Sequence, residues 1–257
     1  MSEQSNPPET TGASAAGKRS APAGTPVLVA LIVLLCIGAI FYLAGRDDGT
    51  DGSSAPSASQ PTVEYGYVGC TTPPAAPQQA QTFKSPPDPS LAERAVWDAT
   101  VETNCGNIAL ELYGDKAPQT VASFIFLTQQ DYWADSPCHR LTTTGIFVLQ
   151  CGDPTGSGTG GPGYGFGIEN APANGRYPPG TLAMARTADP NSNGSQFFVV
   201  YDDTTLPVEG GGYSIFGRVT DGLDIVETIA EKGVSRGGPD GAPAQPLSIL
   251  GVTVQKR

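Results

Sequence analysis

The chain has 257 residues and a formal net charge of −11, and it contains no cluster of Lys and Arg. Phosphate binding needs such a cluster, so nucleic acid is not an expected partner. A single histidine, His139, and the lack of His, Cys and carboxylate groups at ligand spacing leave no expected metal or other cofactor.

Residues 1–24 are polar and low in complexity and read as a disordered cytoplasmic tail. Pro26 to Ala44 is uncharged throughout. A helix of that length spans about 28 Å, close to the hydrocarbon thickness of a bilayer, so 25–45 is expected to be a single transmembrane helix. Lys18 and Arg19 precede it, while Arg46, Asp47, Asp48 and Asp51 come after it. The positive-inside rule then puts the N-terminus in the cytoplasm and the rest outside the cell membrane. A cleaved signal peptide is the rival reading. It would have a shorter apolar region and a small residue where Tyr42 stands. Residues 46–93, rich in Pro, Ser and Gly, read as a linker. Val63–Cys70 is an exception there, with two tyrosines and a cysteine able to tie it to the globular part of the chain.

Residues 94–257 read as one globular domain, long enough to bury a core. Trp97, Ala99 and Val101 alternate with polar residues, Asn104–Asn107 is a turn, and Ile108, Leu110 and Leu112 continue the alternation. Pro118 suits the first position of a helix, along which Val121, Phe124, Ile125 and Thr128 fall at helical spacing. A strand pair brackets a hairpin at Thr142–Gly145, and a glycine-rich loop covers Gly152–Gly167. Further strand-like runs are Gly180–Ala185, Gln196–Tyr201 and Ser214–Val219. Asp221 is placed to cap a second helix, Gly222–Glu231, ended by Gly233, and Ile249–Val254 is a last strand. This pattern predicts a mainly β fold, a closed β-barrel with two α-helices.

Several chemistries find no support. No GxSxG elbow accompanies His139, which reads as structural. The loop Gly156–Gly161 lacks the GK[ST] ending of a phosphate cradle. Asn193-Gly194-Ser195 matches a glycosylation sequon, although an NG step is better read as a turn. Cys70, Cys105, Cys138 and Cys151 lie beyond the apolar run with no CxxC pair among them. In an oxidising space they can form two disulfides; otherwise they are buried thiols. If the strands around the hairpin pair symmetrically, Cys138 meets Cys151, and Cys70 is left for Cys105.

Two segments combine polar and aromatic residues in strand-like contexts. These are Cys138–Asp153 (CHRLTTTGIFVLQCGD) and Leu182–Tyr201 (LAMARTADPNSNGSQFFVVY). HR followed by F-x-x-Q-x-GD, then MA…P-N-x-N-G-S-Q-F-F, then F-G-x-V, resembles the cyclophilin family, in the family's order and over about Val96–Thr253. The resemblance implies an eight-stranded antiparallel barrel closed by two helices, with its active site on the outer face. It implies peptidyl-prolyl cis-trans isomerase activity on proline-containing polypeptides. Arg140 matches the catalytic arginine, and Gln150 the glutamine that holds the substrate backbone. Phe147, Val148 and Phe198 match the proline pocket, Val148 standing where methionine is usual. Ala185 and Gln196 match groove positions, and Thr187 roughly replaces a groove asparagine across a one-residue insertion. Leu206 and Tyr213 stand where many members have tryptophan and histidine. The tryptophan donates a hydrogen bond to cyclosporin that leucine cannot, so cyclosporin binding is expected to be weak.

These residue types suit the reaction. Rotation about an X–Pro bond makes no bond to another atom, so neither a nucleophile nor a general base is needed. It requires stronger binding of the twisted amide than of the planar one. A guanidinium at Arg140 can donate to the prolyl nitrogen as it becomes pyramidal. Phe197 and Phe198 are adjacent on one strand, so one enters the core and the other faces the groove. A binding module or chaperone at the membrane surface that recognises Pro-containing segments and turns over slowly or not at all is the second reading.

Overall fold

The computed structural model describes residues 69–257. The expected tail, the expected membrane span at 26–44 and the first part of the linker lie outside the described residues. Among the described residues no helix is long and apolar enough to cross a membrane.

Two long strands open the fold, β1 (Val96–Thr103) and β2 (Gly106–Tyr113), followed by helix α1 (Pro118–Gln129). Next come β3 (Ser136–Pro137), β4 (Arg140–Thr144), β5 (Ile146–Cys151), β6 (Arg176–Tyr177), β7 (Thr181–Met184), β8 (Phe197–Val200) and β9 (Thr204–Thr205). The chain ends with β10 (Ile215–Asp221), helix α2 (Leu223–Glu231), β11 (Asp240–Gly241) and β12 (Ser248–Lys256). Ten of the strands form one sheet in the order β11-β4-β5-β8-β7-β10-β2-β1-β12-β3, with every pairing antiparallel. The expected closed eight-stranded barrel is therefore seen as a curled sheet of ten strands in an open hydrogen-bonding order. Eight of them have four or more residues, while β3 and β11 are two-residue additions at the ends.

Pleating assigns each side chain to a face. Leu141, Leu149, Cys151, Leu182, Met184, Phe197 and Val199 point into the main core with Leu110, Leu112, Phe124 and Phe216. Each such side chain contributes about 1.5–3 kcal/mol when fully buried. The opposite face carries a second apolar cluster of Val148, Tyr177, Ala183, Phe198, Val200 and Leu206. The adjacent phenylalanines divide as alternation requires, Phe197 inward and Phe198 outward.

Helix α1 starts at Pro118 as expected, but Ala117 supplies no side-chain cap. The carboxylate of Glu169 takes that place, accepting from the backbone N–H of Gln119 (3.0 Å) and Thr120 (2.8 Å). At α2 the capping position belongs to Gly222, not to Asp221, which ends β10. Gly222 has φ +81°, and a Cβ there would stand 2.5 Å from the carbonyl oxygen of Asn107. Backbone conformation and close packing thus exclude any side chain, and no side-chain cap forms.

The stretch expected to be the end of the linker lies on the domain. Cys70 is joined to Cys105, and Thr71 and Asn104 exchange hydrogen bonds. Phe83 meets Phe126 edge-on at 4.9 Å, and its N–H donates to the carbonyl of Pro162. A short 3-10 turn at Pro89–Ala92, capped by Asp88, buries Ala92 completely. Phe83, Leu91 and Ala92 provide apolar contact that the surrounding Pro- and Gln-rich composition conceals. The Cys70–Cys105 bridge closes a loop of sequence separation 35. Restricting the unfolded chain by such a loop stabilises by about 3–4 kcal/mol in the chain-entropy limit. Replacing both cysteines by alanine is expected to lower the denaturant midpoint by an amount equivalent to about 2–4 kcal/mol. A midpoint equal to that of the native protein would refute the assignment of the bridge as a staple of this segment.

Candidate active site

The outer face of β4, β5, β8 and β7 holds a row of paired residues. Arg140 lies opposite Gln150, Gln150 opposite Phe198, and Phe198 opposite Ala183. The register alone therefore brings a guanidinium, an amide and an aromatic ring to one line across the sheet. Arg140 Nη1 donates to Gln150 Oε1 at 3.2 Å. Gln150 Nε2 donates to Gln196 Oε1 at 2.9 Å, and Gln196 Nε2 donates to the carbonyls of Gly158 (3.1 Å) and Gly160 (2.8 Å). At the other end Asp240 grips Arg140 side-on, accepting from Nε at 2.8 Å and from Nη2 at 2.7 Å. The hydrogen bonds from Arg140 hold the Asp240 carboxyl below its usual range, and Asp240 raises Arg140 in turn.

Beside this row is a concavity of about 240 Å³ lined by Arg140, Ile146, Val148, Gln150, Ala185, Arg186, Phe198, Leu206 and Tyr213. Its floor is apolar. Phe198 meets Tyr213 edge-on at 5.8 Å, and Tyr213 meets Tyr177 at 6.5 Å. Tyr177 is almost fully buried and fastens the wall through its hydroxyl, which donates to the carbonyl of Tyr213 and accepts from its N–H. A larger groove of about 660 Å³ adjoins it, sharing Gln150, Ala185 and Arg186 and lined further by Gly158–Gly165, Thr187, Ser192, Ser195 and Gln196.

The glycine-rich loop forms one bank of that groove. Asp153 organises it, accepting from the N–H groups of Thr155, Gly158 and Gly160 and from the hydroxyls of Thr155 and Ser157. Burial pushes the Asp153 carboxyl up, but the hydrogen bonds from Ser157, Gly160 and Thr155 outweigh it and hold the group below its usual range. A Cβ on Gly160 would fall 2.2 Å from Asp153 Oδ1, so a side chain there would expel the carboxylate. His139 lies behind this bank, 3.3 Å from where a Cβ on Gly158 would stand. Burial of the ring holds its pKa below the ordinary histidine value against the opposing pull of Asp153, and both ring nitrogens are buried without a hydrogen-bond partner among the described residues.

The structure brings together Arg140, Val148, Gln150, Ala185, Thr187, Gln196, Phe198, Leu206 and Tyr213 along the two concavities. Phe147 is elsewhere. It has the opposite parity to Val148 on β5, and its ring packs edge-on against Tyr201 at 5.9 Å, outside the lining. Ile146 occupies the rim in its place. Alternation along β5, counted from Gln150, gives this assignment without coordinates. Two further residues of the site are not among those the sequence motifs mark. Arg186 spans both concavities, with its guanidinium 4.9 Å above the Tyr213 ring and donating to the carbonyls of Gly212 and Thr187. Asp240 is distant in sequence and carries no local signal beyond a PDG turn. Cys138 and Cys151 are disulfide-bonded next to Arg140 and Gln150. Among the described residues no group of three or more His, Cys, Asp or Glu side chains is placed to hold a metal ion.

A curled antiparallel sheet with an arginine–glutamine pair beside an apolar pocket on its outer face defines the class of cyclophilin-like isomerases. A sequence model of the family described as "Cyclophilin type peptidyl-prolyl cis-trans isomerase/CLD" matches residues 99–254. The chain belongs to this family of peptidyl-prolyl cis-trans isomerases. It is 44% identical over 204 residues to a "Probable peptidyl-prolyl cis-trans isomerase B" of Mycobacterium leprae, covering 74% of this chain and 68% of that protein. A protein of the same description from Mycobacterium tuberculosis is 45% identical over 187 residues, covering 67% of this chain and 57% of that protein. A solved cyclophilin-type isomerase of Cryptosporidium parvum superposes with a TM-score of 0.53 at 29% identity, over 63% of this chain and 99% of its own. A second crystal structure of that protein, obtained in the presence of the dipeptide Ala-Pro, superposes with the same TM-score at 30% identity, over 62% of this chain and 99% of its own.

Proposed function

We propose that this protein accelerates rotation about X–Pro bonds in exported polypeptides, with Arg140 as the catalytic group. The observation that carries this reading is the single line of Arg140, Gln150 and Phe198 across the sheet beside an apolar pocket. The barrier to be lowered is roughly 18–20 kcal/mol, because rotation breaks amide resonance. The pocket formed by Ile146, Val148, Phe198 and Leu206 suits a proline ring and holds it by apolar contact. Gln150 is placed to bind a backbone carbonyl of the substrate, so that one side of the bond is fixed while the other turns.

Arg140 supplies the differential term. A guanidinium has five N–H donors, of which Asp240 and Gln150 engage three. The remaining two can face the pocket. In the planar amide the prolyl nitrogen is a poor acceptor. In the twisted amide its lone pair is localised, so a donor aimed there stabilises the transition state more than the ground state. A protease-coupled assay on a short X–Pro peptide tests this. Arg140→Ala is expected to lower kcat/KM by about 100-fold or more, the scale of losing one oriented donor. Equal, negligible turnover by both proteins would leave only a module that binds proline-containing segments.

The same pocket bears on inhibitor response. Leu206 is nearly buried and has no polar hydrogen to offer cyclosporin. Calorimetric titration is expected to show binding weaker than micromolar, strengthened in Leu206→Trp. Sub-micromolar affinity of the unaltered protein would overturn this.

We also infer that the sheet closes into a barrel, since residues 136–144 supply both β3 at one end of the strand order and β4 near the other. The uncharged segment 26–44 suits a single-pass anchor, with the catalytic domain outside the cytoplasm. Two disulfides in the domain accord with an oxidising space. Alkaline carbonate extraction of cells is expected to leave the full chain in the membrane fraction, and its release into the supernatant would sink the anchor.

A further inference from the structure

The guanidinium of Arg140 is held on two edges, and only the Gln150 edge is foreseeable from the family pattern. The other is Asp240. Strand β11 pairs Asp240 with Thr142, which lies two residues from Arg140 on the same face of β4. Asp240 is thus the diagonal cross-strand neighbour of Arg140, the relation that lets long side chains meet. The segment carrying it is fastened. The N–H of Thr143 donates to the carbonyl of Pro239, that of Ser235 to Ala242 and that of Ala244 to Gly233. A Cβ on Gly241 would lie 2.7 Å from Val234 Cγ1, so the turn passes close to its own base.

We propose that Asp240 is a positioning residue for the isomerisation, acting through Arg140; this rests on the reading of Arg140 as the catalytic donor. Its carboxylate accepts from Nε and Nη2 together, a fork that fixes the plane of the guanidinium as well as its place. Gln150 holds Nη1, so rotation of the plane would break bonds on both sides. Without Asp240 the long side chain regains its rotamers, and the two donors left for the substrate lose their aim. A hydrogen bond to a localised lone pair is directional, so aim is what the reaction demands of this group. The pair is half-exposed, with side-chain accessibilities of 38% and 48%. Ion pairs so open to water add little to stability. The consequence of the contact therefore lies in the orientation of Arg140 and not in the fold.

The test uses the full chain and measures kcat and KM on an X–Pro peptide for the native protein, Asp240→Ala, Asp240→Asn, Arg140→Ala and the double variant Arg140→Ala/Asp240→Ala. Asp240→Ala is expected to lower kcat roughly tenfold with KM little changed, short of the roughly 100-fold that a misplacement of a catalytic group by about 1 Å costs. Asp240→Asn should fall between the two, because its amide oxygen still accepts one N–H. In the Arg140→Ala background the loss of Asp240 should have no further effect, since its action passes through the guanidinium. A kcat for Asp240→Ala equal to or above the native value overturns the assignment, as does the same fractional loss in both backgrounds. Should Asp240→Ala not fold, the kcat of Asp240→Asn decides by the same criterion. An inert native protein would bring down the reading of the groove and this one with it. An active native protein with a slow Arg140→Ala and an unimpaired Asp240→Ala would remove Asp240 alone.

Discussion

A side-chain amide accepts at one end and donates at the other, and at Gln150 that polarity is set from both sides. Gln196 faces two backbone carbonyls, Gly158 and Gly160, which accept only from its NH₂ end. Its oxygen is thereby turned to Gln150, whose own NH₂ meets it, leaving Gln150 Oε1 for Arg140. The two carbonyls are placed by Asp153, which gathers the N–H groups of the glycine-rich loop around one buried carboxylate. Orientation is thus transmitted from a loop carboxylate to a guanidinium through fixed donors and acceptors, with no freedom at any amide.

The sheet performs two tasks at once because its faces are independent. Inward residues of β4, β5, β7 and β8 fill the core, and outward residues of the same strands form the pocket. The pocket wall is itself a packed layer of Tyr177, Tyr213, Phe198 and Leu206. Arg186 lies over Tyr213 by cation–π contact and lines both the smaller concavity and the larger groove. It places a second positive charge at this boundary, held by backbone carbonyls where Arg140 is held by a carboxylate.

Much of this is legible in the sequence, for identifiable reasons. Period-2 alternation marks β1 and β2, and Pro118 marks the start of α1. The HR…Q and NGSQFF segments place Arg140, Gln150, Gln196 and Phe198. Phe147 enters the expected pocket by resemblance alone, against the parity that Gln150 and Val148 impose on β5, and it lies outside the lining. Asp240 is invisible in the sequence because it reaches Arg140 across 100 residues through a two-residue strand. Residues 69–93 read as tether because Pro and small or polar residues make up most of the stretch, while the contacts that dock them are a few apolar side chains, one cysteine and hydrogen bonds such as those of Thr71 and Phe83. Asp221 satisfies a capping rule, but the close approach of Asn107 makes glycine the only residue that fits at the helix start.

Cys138 and Cys151 enclose β4, the hairpin turn and β5 in one covalent ring of sequence separation 13. Arg140 and Gln150 are both members of that ring. A slip of one residue between these strands would turn one of them over relative to the other, putting Arg140 and Gln150 on opposite faces and bringing Leu141 or Leu149 to the surface. The crosslink ties the strand ends together and so disfavours those alternative alignments. The Arg140–Gln150 pairing is therefore constrained by connectivity as well as by packing.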